Sequence, residues 1–318
     1  MRIVVTGGAG FIGSHVVEVL IAAGHEVWVV DNLTAGRLDQ VAPAARCLVG
    51  DVLHPDEWGG EVPGVDVVIH LAAQVSVSYG EAHPGEDGAT NLLATIAMLQ
   101  WAKKKGAQEF RFASSAAVYG VPAALPLDET SALAPLSFYG KHKEAAEWAV
   151  RHYGRTHGMV GVALRLANVY GPRQRNEGEG AVVAAFATRL AHRQPAIIHG
   201  DGGQSRDFVF VGDVANAFAA RLGALPAEGL TANIGTGRST TIEALWRTMA
   251  RLVGDDPAAV RYGPPRAGDI RDSVLSPERA KTALGFVPKT AIEAGLRETL
   301  AYFRREFGRS AARPPSPE

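Results

Sequence analysis

The stretch Thr6-Gly7-Gly8-Ala9-Gly10-Phe11-Ile12-Gly13, directly behind the apolar run Ile3-Val4-Val5, decides the fold. Glycines at 7, 10 and 13 let a chain leave a strand in a sharp turn, bring bare backbone against a pyrophosphate and open a closely packed helix. Such a helix start offers unpaired N–H groups and a positive dipole end to an anion. Gly7, Gly10, Phe11, Ile12 and Gly13 are therefore the candidate phosphate contacts. An apolar helical segment follows (Val16, Val17, Val19, Leu20), and a second apolar run, Glu26-Val27-Trp28-Val29-Val30, ends at Asp31. A carboxylate at that spacing accepts hydrogen bonds from both adenosine ribose hydroxyls and repels a 2′-phosphate, so the expected cofactor is NAD rather than NADP. Arg37, a few residues on, reads as a solvent-exposed loop arginine.

Short apolar runs alternate with helical patterns through the first half, with strands near 2–6, 26–30, 45–49, 66–70, 109–114 and 160–166. This alternation predicts an α/β fold, a doubly wound parallel sheet of the Rossmann type. Beyond Asn168 the pattern breaks. A Gly/Arg-rich loop from Gly171 to Gly180 leads to a helix, a turn at Gly200-Asp201-Gly202-Gly203, and the apolar run Phe208-Val209-Phe210-Val211. The expected organisation is an NAD-binding domain at 1–167, rejoined by return segments near 208–236, and a smaller α/β substrate domain at 168–207 and 237–308. Residues 309–318, with Arg313-Pro314-Pro315-Ser316-Pro317, are expected to form a flexible tail.

With 32 basic and 33 acidic side chains in 318 residues, the chain has no charge excess to suit a nucleic acid or an anionic membrane. The Lys103-Lys104-Lys105 run before Gly106 reads as a helix end, where cations complement the dipole. No apolar stretch is long enough to span a bilayer, and the early glycines belong to the nucleotide turn rather than to a signal peptide. Cys47, the one cysteine, excludes an intrachain disulfide and fits a reducing compartment; a cytoplasmic location is expected. The 200–203 turn lacks the spaced acids and closing glutamate of a calcium loop, and no metal is expected.

Tyr139-Gly140-Lys141-His142-Lys143 puts Tyr139 and Lys143 one helical turn apart on one face. An ammonium near a phenol stabilises the phenolate and is expected to make Tyr139 a base near neutral pH. The pair follows the fifth strand, whose end carries Ser114-Ser115-Ala116-Ala117-Val118-Tyr119-Gly120. Strand carboxyl ends face the cofactor crevice in a doubly wound sheet. There a Ser115 hydroxyl can donate to a substrate oxygen and relay its proton to Tyr139, whereas Ser114 reads as a turn residue.

Together, TGGAGFIG, Asp31-Asn32-Leu33, Asp51-Val52, His70-Leu71-Ala72-Ala73, SSAAVYG, YGKHK, LRLANVYGPRQ and GDGGQSRDFVFV resemble the extended short-chain dehydrogenase/reductases. Among these the chain is most similar to the UDP-glucose (UDP-galactose) 4-epimerases, over Arg2 to about residue 305. The resemblance implies a resident NAD and a UDP-sugar substrate. Tyr139 takes the proton of the sugar 4-hydroxyl while hydride leaves carbon 4; the 4-keto sugar rotates and receives the hydride on its other face. Lys143 holds the nicotinamide ribose and Ser115 bridges substrate and base. Asn32, Asp51 and Val52 fall to the adenosine side, and Leu71, Ala72, Ala73, Gln74 and Asn91 to the pyrophosphate and nicotinamide side. Asn168, Arg206 and Arg266 match substrate-diphosphate contacts, a role suited to the guanidinium fork.

Dehydratases and decarboxylases of this family carry proton-transferring acids where this chain has Ala116 and Ala117, so both activities are disfavoured. Ser273 stands where a bulky tyrosine excludes an N-acetyl group in some epimerases; a serine leaves room for UDP-GlcNAc and UDP-GalNAc. Arg175 lies where relatives acting on UDP-glucuronate place a carboxylate contact, which keeps a UDP-glucuronate 4-epimerase as an alternative. Those relatives usually have threonine at the position of Asn168. Leu166-Ala167 replaces the common aromatic pair before the asparagine. An NDP-sugar reductase and a non-catalytic NAD-binding regulator are the remaining alternatives; Asp31 and the Ser115–Tyr139–Lys143 set respectively speak against them. A homodimer through helices near 86–105 and 137–157 is expected from the same resemblance.

Overall fold

The computed structural model describes residues 1–175, 181–256, 258–265 and 270–311. Six strands, β1 (Arg2–Thr6), β2 (Glu26–Asp31), β3 (Arg46–Val49), β4 (Val67–His70), β5 (Glu109–Ser115) and β6 (Val160–Leu166), are followed by short ones. These are β7 (Asn168–Tyr170), β8 (Ala196–His199), β9 (Ser205–Arg206), β10 (Phe208–Phe210), β11 (Leu230–Ile234), β12 (Thr240–Thr241), β13 (Val260–Gly263) and β14 (Asp272–Ser273). The α-helices are α1 (Phe11–Ala22), α2 (Pro55–Trp58), α3 (Val77–Ala82), α4 (Pro84–Gly88), α5 (Ala94–Lys104), α6 (Phe138–His157), α7 (Val182–Ala191), α8 (Val211–Ala219), α9 (Ile242–Val253), α10 (Glu278–Leu284) and α11 (Ile292–Ala311).

Seven strands form one parallel sheet in the order β11-β6-β5-β4-β1-β2-β3. This is the doubly wound α/β fold that the alternating pattern predicts, with all six predicted strands in place. Successive strand residues point to opposite faces, which explains why these strands read as unbroken apolar runs. Ile3, Val5, Val29, Ile69 and Leu164 pack against α1 and α8 through Val16, Leu20, Val214 and Phe218. Val4, Val30, Val68, Phe110 and Phe112 pack on the other face against Met98, Leu99 and Val150 of α5 and α6. A separate apolar core lies among α7, α9 and α11, around Phe186, Trp246, Met249, Leu296 and Phe303. Among the described residues no helix is long and apolar enough to cross a membrane.

The seventh strand was not evident as one in the sequence. The apolar run at 208–210 pairs with Asn168–Tyr170 in a small sheet of its own, while Leu230–Ile234 pairs with β6. The strand order reverses between β4 and β1, which places a crevice at their carboxyl ends.

A buried polar network braces that edge. Arg165 of β6 meets Glu147 of α6 through two hydrogen bonds of 2.9 and 2.8 Å, with both side chains almost entirely buried. Ser114 Oγ donates to Glu147 as well, Arg165 donates to the Tyr119 hydroxyl at 2.9 Å, and Tyr119 donates to Asn233 of β11 at 2.7 Å. Arg165→Met leaves the buried Glu147 carboxylate with the Ser114 hydroxyl and, at 3.2 Å, Arg151 as its remaining partners. The expected cost is about 3 kcal/mol, read as a lowered urea midpoint at unchanged slope.

Candidate active site

The glycine turn has the geometry its sequence demands. Gly7 lies in the left-handed region at φ +67°, and a Cβ there would stand 2.7 Å from the Ala72 nitrogen. A Cβ on Gly13 would meet the Gly7 carbonyl oxygen at 2.1 Å. The turn is thus pressed against the Leu71–Ala72 backbone behind β4 and against the start of α1. No side chain caps the first turn of α1, whose N-cap is Gly10. Its N–H groups and dipole end point into the crevice, a fit for a dinucleotide pyrophosphate.

Asp31, at the end of β2, is buried beside the turn. One carboxylate oxygen accepts from the Ala9 N–H at 3.0 Å and the other from the Leu33 N–H at 2.9 Å. Each oxygen keeps a lone pair, as ribose hydroxyl recognition requires. Asn32 is exposed and accepts from the Thr34 N–H and hydroxyl, at 3.2 and 2.8 Å. Asp51 is exposed at the start of the turn after β3, with Val52 buried behind it.

Ala72, Ala73 and Gln74, expected on the nicotinamide side, follow β4. A π-helical turn, Ala89–Leu93, interrupts the helix between α4 and α5 and carries Asn91 into the interior. The Asn91 amide donates to the Gln74 carbonyl at 2.9 Å and to Asp87 at 3.0 Å. Asp87 was missed in the sequence. Its i,i+4 spacing to Asn91 was legible, but its meeting with His142, 55 residues away, was not.

β5 delivers Ser115 to the sheet's carboxyl edge, where its hydroxyl accepts from the Ala117 N–H at 3.2 Å. Ser137 caps α6, accepting from Gly140 N–H at 3.0 Å, so Tyr139 stands in the first turn with Lys143 below it. Lys143 is buried, donates to the Ala113 carbonyl at 3.0 Å, and places its Nζ 5.9 Å from the centroid of the Tyr139 ring. Burial pushes the Tyr139 phenol up to about 12, against the opposing pull of a hydrogen bond with Ser115. Burial also draws the Lys143 ammonium down to about 8. The expectation that Lys143 by itself makes Tyr139 a base near neutral pH is therefore corrected. The ammonium serves a backbone carbonyl and a ring face, and desolvation dominates the phenol.

Asn168, Arg206 and Ser273 come together at one junction. The Asn168 N–H donates to the Asp207 carbonyl and the Asp207 N–H to the Ser273 carbonyl, both at 2.9 Å. Arg206 donates to the Ser205 carbonyl at 2.8 Å and the Arg271 carbonyl at 3.2 Å. Asp207 itself, accepting from Thr236 and Gly237 N–H groups, has its carboxyl pushed up by burial. Arg175 donates to the Ala35 carbonyl at 3.3 Å, on the loop after Asp31. Arg266 lies outside the described residues.

A glycine turn at a sheet's switch point, an acid ending the second strand and a Ser–Tyr–Lys set on the same edge define a nucleotide-dependent enzyme of the extended short-chain dehydrogenase/reductase class. The chain belongs to the NAD dependent epimerase/dehydratase family, whose model matches residues 3–235. It is 38% identical over 304 residues to a putative UDP-glucose 4-epimerase of Methanocaldococcus jannaschii, covering 95% of this chain and 98% of that one. It is similar to the structure of Thermus thermophilus UDP-glucose 4-epimerase in complex with NAD, at 40% identity and a TM-score of 0.87, covering 96% and 99%. The UDP-N-acetylglucosamine 4-epimerase of Methanobrevibacter ruminantium, solved with UDP-N-acetylmuramic acid, superposes with a TM-score of 0.90 at 31% identity, covering 96% and 98%.

Gly13→Ala is expected to lower stability by about 1–3 kcal/mol and to reduce the NAD that copurifies. Denaturant midpoint and nucleotide released on acid treatment read the two effects. Wild-type NAD content in this variant would refute the proposed packing role.

Proposed function

We propose that the protein is an NAD-dependent UDP-sugar 4-epimerase. What carries this reading is the Ser115–Tyr139–Lys143 set above the glycine turn with proton-inert Ala116 and Ala117 beside it. Dehydration and decarboxylation need a further acid or base there. Gly7, Gly10, Phe11, Ile12 and Gly13 would hold the pyrophosphate, Asp31 the adenosine ribose, and Lys143 with Asn91 the nicotinamide end. NAD, when bound, accepts hydride from sugar carbon 4 and supplies it again. Tyr139 takes the 4-hydroxyl proton and returns it, with Ser115 bridging the two oxygens. Burial raises the proton affinity of Tyr139, and a positive charge beside it favours the phenolate. Arg206 and Asn168 hold the substrate diphosphate in our reading, joined by Arg266. The division of labour follows the chain: residues 1–167 with 208–236 for cofactor, and 168–207 with 237–308 for sugar nucleotide.

Ser273 supports acceptance of the N-acetylhexosamine pair, in line with the similarity to a UDP-N-acetylglucosamine 4-epimerase. In an NMR time course without added NAD, UDP-galactose is expected to turn over, UDP-GlcNAc also, and UDP-glucuronate not. Tyr139→Phe should lower turnover by about 100-fold or more while sparing UDP-sugar affinity. Substantial activity in that variant removes Tyr139 as the base, and glucuronate turnover alone would make Arg175 the deciding contact.

A single exposed thiol, Cys47, supports a cytoplasmic location. A homodimer is supported by the apolar residues exposed along α5 and α6. Leu93 is 55% exposed just ahead of α5, and Trp148 is 58% exposed and stacked on His152 at 4.8 Å. Trp148→Glu should convert a sedimenting dimer to monomer; an unchanged sedimentation coefficient would move the interface elsewhere.

A further inference from the structure

Asp207 stands between β9 and β10, directly after Arg206, and is 1% exposed. Its backbone and its carboxylate bind separate segments of the chain. The Asn168 N–H donates to its carbonyl and its own N–H donates to the Ser273 carbonyl, each at 2.9 Å. One carboxylate oxygen accepts from the Thr236 N–H at 2.9 Å and from the Thr236 hydroxyl. The other accepts from the Gly237 N–H at 3.1 Å and the Leu275 N–H at 3.3 Å. A carboxylate only accepts, so it can gather donors that arrive from different strands. Gly235 lies against it, and a Cβ there would stand 2.5 Å from Asp207 Oδ2. Gly235 is outside the left-handed region, so a glycine is needed here for space and not for backbone conformation.

The segments that meet at Asp207 come from both halves of the molecule. Thr236 and Gly237 continue from β11, the outer strand of the parallel sheet. Asn168 follows β6, in which Leu166 pairs with Ser115 of β5. Ser273 lies on β14 and pairs with Arg206 of β9. Residues read as substrate contacts thus take their places around one side chain: Arg206 by adjacency, Asn168 and Ser273 by hydrogen bonds. We propose that Asp207 is the positioning residue of the sugar-nucleotide site, its carboxylate fixing the strand that carries Arg206 to the sheet edge that carries Ser115. An ionised carboxylate is costly to bury, and each N–H bond donated to its charge is stronger than one to a neutral acceptor. Burial pushes the carboxyl up, and the Thr236, Gly237 and Leu275 donors oppose that push. Asp207 acts through Arg206 and Asn168 without touching the sugar nucleotide itself. What it sets is the distance between the held diphosphate and the Ser115–Tyr139 pair, on which transfer at sugar carbon 4 depends.

The inference rests on the reading of Arg206 and Asn168 as diphosphate contacts. Calorimetric titration of UDP into the NAD-loaded protein tests both, with NAD content measured on the same preparations. Arg206→Ala examines the reading alone: unchanged UDP affinity there overturns the diphosphate assignment, whatever Asp207 does. Asp207→Asn keeps one acceptor oxygen, but in either orientation its NH2 group meets backbone N–H donors. With Arg206→Ala impaired, Asp207→Asn is expected to raise the Kd for UDP about tenfold while NAD content stays at the wild-type level. The double variant should bind UDP less weakly than the two single effects multiplied together, because one residue acts through the other. Unchanged UDP affinity in Asp207→Asn, full additivity in the double variant, or NAD lost in step with UDP binding overturns the proposal. Where Asp207→Asn does not fold, Gly235→Ala decides, since it displaces the carboxylate and keeps its charge. Weakened UDP binding with full NAD content is expected in that variant too, and wild-type UDP affinity overturns the proposal.

Discussion

The contact on which the molecule depends is backbone against backbone, where the start of α1 lies on the Gly7 carbonyl and Gly7 lies on Ala72. No side chain fits at either place. This approach sets the angle at which α1 leaves β1 and so aims its unpaired N–H groups into the crevice. It also brings the Ala9 N–H to Asp31 and holds the Leu71–Ala72 segment, expected on the nicotinamide side, against the turn. One steric requirement therefore orders the contacts expected for all three parts of a dinucleotide.

The reacting centre shows a second tension, between desolvation and charge. Tyr139 and Lys143 are each driven towards their uncharged forms by burial. A phenol so protected is a poor base in isolation. Its usefulness is conditional on positive charge arriving in the same low-dielectric space, where an interaction is far stronger than in water.

Much of this was legible in the sequence, and the reasons are physical. Glycines at a strand-to-helix turn, the one-turn spacing of Tyr139 and Lys143, and apolar strand runs are local features that a linear pattern exposes. Non-local partners are not. Leu230–Ile234 carries a polar Asn233, satisfied by Tyr119 and the Leu127 carbonyl, so nothing in its own residues marks it as the strand that borders β6. Asp87 reads as one more acid in a polar segment until His142, Gln74 and Asn91 are seen around it. The electrostatics of Tyr139 escaped for the same reason: spacing shows that Lys143 is near, whereas the extent of desolvation depends on everything packed around both.

The order of strands has a consequence for how the chain reaches this state. β6 receives its outer neighbour from residues 230–234, after the chain has built the 168–170 and 208–210 pairing and the helices around them. A fragment ending at residue 167 would therefore expose β6 as an open edge, ready to pair with another chain. It would also leave Tyr119 without Asn233. Long-range closure of this kind is slow, because loop entropy is spent before the final contacts form. The half that carries the glycine turn thus completes its sheet only when the other half is in place, so the two ripen together.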